Sequence, residues 1–220
     1  MNCKDVLIAI LIIIILWLLY INYYKRNENY TNSENKFKIT FKTMWGKQNV
    51  NIGYPSDPHT GNMFLAVHNN NYNLFENGKY ASAGIEQSSE FGLNDNLIKE
   101  AINNSKNIKQ YYTSPVLNTP GQTEFTVDAS TIYPLFSFAT MIAPSSNWFT
   151  GISSVNLFNV PKNIDIPLYA YDAGTDTGVE FVTLPKHPRI PHRPISFITN
   201  GVLFPNGNQI PFAFINVQSL

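Results

Sequence analysis

The segment FKITFKT, residues 37–43, alternates strictly, with Phe37, Ile39 and Phe41 on one face and Lys38, Thr40 and Lys42 on the other. Successive side chains of a strand point to opposite faces, so the pattern describes a half-buried β-strand. The runs MFLAVHN (63–69), FTVDA (125–129), LFSFATMIA (135–143), FTGISSVNLF (149–158), PLYAY (167–171), VEFVT (179–183) and PFAFINV (211–217) are rich in β-branched and aromatic residues, and Pro, Gly and Asn separate them. Many short strands between turn signals predict an all-β fold, a sandwich or a barrel. One short helix is expected at residues 94–102. Asn94 or Asp95 can cap it, and Leu97, Ile98, Ala101 and Ile102 form its apolar stripe before a stop at Asn103 and Asn104. The sole cysteine, Cys3, excludes an intrachain disulfide, so packing or bound ions must hold the fold.

The N-terminus has a different character. Val6 to Ile21 contains sixteen apolar or aromatic residues and no charge. At about 1.5 Å per residue this approaches the ~30 Å of a hydrocarbon layer. Trp17, Tyr20, Tyr23 and Tyr24 suit an interfacial belt, and no small-residue cleavage site follows. The expected organisation is a transmembrane signal anchor at 1–24, a polar linker at 25–36 and one domain at 37–220. Such an organisation predicts a single-pass membrane protein contacting the bilayer through residues 6–21. The flanking Lys25 and Arg26 favour a cytosolic body, whereas the sequons at Asn29 and Asn103 are usable only on the other side.

Composition narrows the chemistry. The formal net charge is zero and charged residues make up only 14%, so no global field draws in nucleic acid. His187 and His192 fall among four prolines in LPKHPRIPHRP, which excludes a helical zinc pair and reads as an extended surface connection. There is no Gly-x-Ser-x-Gly elbow and no phosphate-cradling glycine loop. In YAYDAGTDTGVEF, Asp172 and Asp176 stand four apart. An aspartic protease needs two Asp-Thr-Gly loops and this chain has one, so that reading requires a dimer acting through Asp176. Two carboxylates on a short turn also suit a hard cation that takes six to eight oxygens, with Thr175 as a further donor. They equally suit a turn in which the aspartates accept backbone amides.

MIAPSSNWFTGISSVNLF (141–158) followed by PLYAYDAGTDTGVEF (167–181) resembles the spondin N-terminal domain. That family carries Met-x-x-Pro-Ser-Pro-Asp-Trp-x-x-Gly and then Asp-Ala-Gly-Thr-Asp-Ser-Gly. HNNNYNLFENGKYASAGIEQSSEFG (68–92), FKITFKTMWG (37–46) and FTVDAS (125–130) match other family stretches in order. The resemblance implies a C2-like antiparallel β-sandwich with a Ca2+ site at one end, its ligands falling on Asn147, Asp172 and Asp176. It also implies a non-enzymatic, extracellular adhesion and recognition domain, which places the body outside the cytosol. The partner would be a protein, glycan or lipid surface.

Three departures qualify this. Asn147 replaces an aspartate, which removes one negative charge and predicts weak Ca2+ affinity. Ser146 replaces a proline, and Phe158 stands where animal members usually have a cysteine. Thrombospondin repeats have no counterpart in these 220 residues, so the animal partners are not carried over. Two other classes stay open: an envelope or particle membrane protein with a vestigial cation site, and the dimeric hydrolase.

Overall fold

The computed structural model describes residues 12–23, 34–46, 53–204 and 210–220. Two antiparallel sheets face each other. The first has the order β5 (Gly121–Ser130), β1 (Glu34–Thr43), β11 (Ala213–Ser219), β8 (Asn163–Leu168). The second has the order β10 (Ser196–Phe197), β9 (Ala170–Asp172), β7 (Trp148–Asn156), β6 (Leu135–Ala143), β3 (Met63–His68), β4 (Ile108–Ser114), and β2 (His59–Thr60) also pairs with β6. The all-β class expected from the sequence is the one observed.

Between the sheets, Phe37, Ile39 and Phe41 of β1 pack with Met63, Leu65 and Val67 of β3 and with Phe136 and Phe138 of β6. The alternation of FKITFKT therefore marks the buried face. Every residue of β3 and β6 is buried, because the second sheet is covered on both sides. Its far face carries Phe64, Ala66 and Ala139, packed under Ile85, Leu97 and Ala101 from two helices. A strand covered on both faces has no polar side to alternate with, which is why LFSFATMIA does not alternate and even its hydroxyl residues, Ser137 and Thr140, are buried. Phe158 packs edge-to-face on Phe37, with ring centroids 5.7 Å apart.

Two helices cover this sheet where one was expected: α2 (Ala83–Phe91) and α3 (Asp95–Asn103). They lock each other at their N-termini. The Glu100 carboxylate accepts from Gly84 N at 2.7 Å and from Ser82 Oγ at 3.0 Å, which places negative charge at the positive end of α2. Gln87 of α2 in turn accepts from Asn96 N at 2.8 Å. Asn94 occupies the N-cap position of α3, but its side chain donates to Met63 O at 2.9 Å instead of capping. The sequence hid α2 because its apolar stripe is thin, with Ile85 its one large buried aliphatic.

Three strand expectations are corrected. Residues 179–183 form no strand; Phe181 plugs into Trp45 and Trp148, with centroids 5.5 and 5.4 Å away, so its burial comes from a loop. PLYAY divides between the end of β8 and the start of β9, which belong to different sheets. β4 was not expected, since Tyr111 and Tyr112 at its centre are exposed. β1 also begins at Glu34, within the stretch read as a linker.

The expected transmembrane helix is not found among the described residues. A helix α1 covers residues 12–23, and Ile12 to Tyr20 are exposed. At about 1.5 Å per residue it reaches ~18 Å, short of a ~30 Å hydrocarbon layer. No described helix is long and apolar enough to cross a membrane. Residues 6–11 of the apolar stretch and most of the linker lie outside the described residues.

His68 ends β3, fully buried. Its Nε2 lies 2.7 Å from Ser137 Oγ and its Nδ1 2.8 Å from Asn69 O. Tyr72 packs edge-on against the ring at 5.1 Å. Burial holds its pKa below the ordinary 6.5, while the bond to Asn69 pulls the other way. The unfolded chain therefore takes up this proton at a higher pH than the folded one, and stability is lost as pH falls below about 6.5. Thermal unfolding over a pH series should show Tm declining below that point. His68→Gln, which cannot titrate, should lower Tm at neutral pH and flatten the decline.

Candidate functional site

The register of β7 and β9 builds the site. Trp148 pairs with Asp172, and Ala173 N donates to Asn147 O at 3.1 Å, so residue 147 stands opposite residue 173, diagonal to Asp172. The loop before β7 and the loop after β9 thus converge at one end of the second sheet. Asn147 and Asp176 are buried and Asp172 is half-buried. The Asn147 amide donates to Asp172 Oδ1 at 2.8 Å and to Asp176 O at 3.4 Å. All three candidate ligands are therefore neighbours.

Both aspartates also organise backbone. Asp172 Oδ1 accepts from Gly174 N at 2.6 Å, and Asp176 Oδ1 accepts from Gly178 N at 2.7 Å. These are two successive Asx turns, each with glycine two residues after the acid. Gly174 has φ +79, and a Cβ there would lie 2.0 Å from Arg193 O, so no other residue fits. Asp176 Oδ2 accepts from His187 N at 2.7 Å. The turn reading of Asp-Ala-Gly-Thr-Asp is thus correct for the hydrogen bonds. It leaves the cation reading open, because each carboxylate oxygen has a second lone pair.

The Pro-rich connection expected on the surface is the clamp around this loop. Thr177 N donates to His187 O at 2.9 Å, Arg189 N to Thr175 O at 2.8 Å, and Arg193 N to Gly174 O at 2.9 Å. Arg189 Nε donates to Asp176 O at 3.2 Å. Lys186 Nζ donates to Ser146 O at 2.5 Å and Glu90 O at 2.8 Å, and it lies over the Phe91 ring at 4.8 Å. Burial lowers the Lys186 pKa, while the negative charges of Glu90 and Asp176 act to raise it. No local pattern in the residues points to these partners. Prolines excluded a helix, but only the fold shows what the extended chain lies against. Trp148 is buried under the loop and packed edge-on against Phe181.

The donor set fits a hard cation. It consists of two carboxylates, one amide and the hydroxyl of Thr175, whose Oγ1 is buried with no hydrogen-bond partner. Asn147 would have to present its oxygen, whereas here its nitrogen faces Asp172. Only two acids contribute, and among the described residues no cluster of three or more His, Cys, Asp or Glu occurs.

A family model described as Spondin_N matches residues 35–220. The chain belongs to the Spondin_N family. It is similar to Spondin-2 of Homo sapiens, 28% identical over 176 residues that cover 76% of this chain and 53% of that protein. Spondin-1 of Rattus norvegicus is 32% identical over 184 residues, covering 75% of this chain and 22% of that protein, and Spondin-1 of Homo sapiens gives the same values. The chain therefore spans about half the length of the Spondin-2 proteins it matches and about a fifth of Spondin-1.

Asp176 is the hub of this loop. Asp176→Ala should leave the amides of Gly178 and His187 without acceptors, at about 1–3 kcal/mol each. Chemical denaturation should show that loss. Hydrogen exchange at those two amides should accelerate even where the rest of the domain stays protected.

Proposed function

We propose that this Spondin_N domain is a non-enzymatic recognition module of the adhesion type, working outside the cytosol. In this reading its loop end is stiffened by a weakly held Ca2+ ion. The convergence of Asn147, Asp172 and Asp176 at one rim of the sandwich carries the proposal. Those three residues would hold the ion, with Thr175 as a further oxygen donor, and the ion would supply positive charge that draws the two acidic turns together. Asp172, half-buried at the rim, is the ligand within reach of a partner. The buried, doubly amide-bonded Asp176 carboxylate disfavours a hydrolase, since a catalytic acid must reach its substrate.

Membership of a family of longer proteins supports the recognition role, and the small number of charges supports contact with a neutral or locally charged surface. One observation favours a second reading, a vestigial site. Asn147 already donates to Asp172, so the loop closes on itself without an ion.

Calorimetric and thermal titration of the full chain in detergent discriminates the two. A functional site should give binding heat and a Tm rise at millimolar Ca2+, both suppressed by Asp172→Asn and absent with Mg2+. No response at several millimolar Ca2+ would establish the vestigial reading.

Membrane attachment through residues 6–21 is part of the same proposal, supported by the uninterrupted apolar sequence and the exposure of α1. The full chain should float with liposomes and resist carbonate extraction. Replacing Ile13 and Leu16 with Lys should release it, and flotation unaffected by that change would reject the anchor.

A further inference from the structure

Beside the turn of Asp172 lies a cleft of about 400 Å³, lined among others by Asn77, Asp172, Arg189, Arg193, Pro194 and Ile195. Its frame is fixed by backbone. Arg193 N is bonded to Gly174 O, Ile195 N to Lys79 O at 2.8 Å, and Gly78 N to Ile195 O at 2.8 Å. Both arginines therefore project from a segment tied down on two sides. Arg189 is further held by its Nε bond to Asp176 O, while Arg193 is exposed.

Charge makes the cleft unusual. Only 14% of residues are charged, yet two guanidinium groups share this one depression. Among the described residues neither forms an ion pair with a carboxylate. Asp172 lines the same cleft without pairing to either guanidinium, and its single negative charge leaves the cleft net positive. A planar five-donor fork left without an anion matches a carboxylate or sulfate. The remaining wall is mixed. The Asn77 amide and the carboxylate of Asp172 suit hydroxyl groups, and Pro194 adds an apolar ring against which a sugar face can pack.

We propose that this cleft binds an acidic saccharide. Arg189 and Arg193 hold its carboxylate or sulfate, and Asn77 and Asp172 take its hydroxyls. This deepens the recognition reading and rests on it for the role of the loop end, but needs no bound cation.

The test presents the full chain in detergent to a glycan array. The array carries uronate-, sialate- and sulfate-bearing oligosaccharides beside their neutral counterparts, and is run with Ca2+ and with EDTA. Acidic glycans should retain the protein and neutral ones should not, in both buffers. The carboxylate and sulfate arms identify which acid group is preferred. Arg193→Ala should reduce retention at least about tenfold, as expected on removing one partner of a bonded charge pair. Arg193→Lys, which keeps charge but loses the fork, should rescue only part of it. Among the described residues Arg193 donates no side-chain hydrogen bond, so an unchanged Tm and near-ultraviolet spectrum should confirm that both variants fold. Retention by no acidic glycan, equal retention by neutral ones, or undiminished retention of Arg193→Ala overturns the proposal. A lost Ca2+ response with intact glycan retention would strike the cation reading alone. An intact Ca2+ response without retention would strike this one alone.

Discussion

The burial of β6 on both faces is the constraint from which the rest of the domain follows. Its nine residues are all inaccessible, and it pairs with β3, β7 and β2. One face must meet the aromatic row of β1, where Phe41 and Phe138 lie 4.6 Å apart between centroids. The other face must be roofed, and α2 and α3 do this by capping each other through Glu100 and Gln87. A two-sheet sandwich with bare outer faces would leave Phe64 and Phe149 in water. The helices are therefore a requirement of the second sheet.

The candidate site inherits its position from the same sheet. β7 is fixed by β6, and β9 by β7, so the loops at 144–147 and 173–178 leave the sheet side by side. Beneath them Trp148, Phe181, Trp45 and Phe212 form an aromatic base. Above them the chain from Lys186 to Arg193 lies across the aspartate turns, each layer bonded through backbone groups. A rim built this way is held together without a disulfide, since the chain's one cysteine is Cys3. Rigidity at the rim is what a recognition surface needs, because little ordering entropy is then lost on binding.

Much of this was legible in the residues. The alternation in FKITFKT identified the inward face of β1, and the aromatic and aliphatic content of LFSFATMIA identified a strand without showing that both its faces are covered. The spacing of Asp172 and Asp176 left a cation loop and an acid-capped turn equally open, and the hydrogen bonds to Gly174 and Gly178 are those of the turn. Other features were not legible because their signal is not local. VEFVT has strand composition, but Phe181 is consumed by an aromatic cluster and its neighbours never reach a ladder. α2 carries too few large apolar residues to stand out, since its stability comes from Glu100 of the following helix. The Pro-rich stretch revealed its extended form and concealed its partners.

The sequence by itself determined the strand-rich class, the buried face of β1, the absence of an internal disulfide and the family, because each depends on residue type and short-range period. Only the tertiary structure decided that Asn147 touches Asp172, that Lys186 and His187 close over Asp176, and that Arg189 and Arg193 share one cleft. Those contacts depend on strand register and on where a loop returns. They join positions far apart along the chain that no local pattern connects.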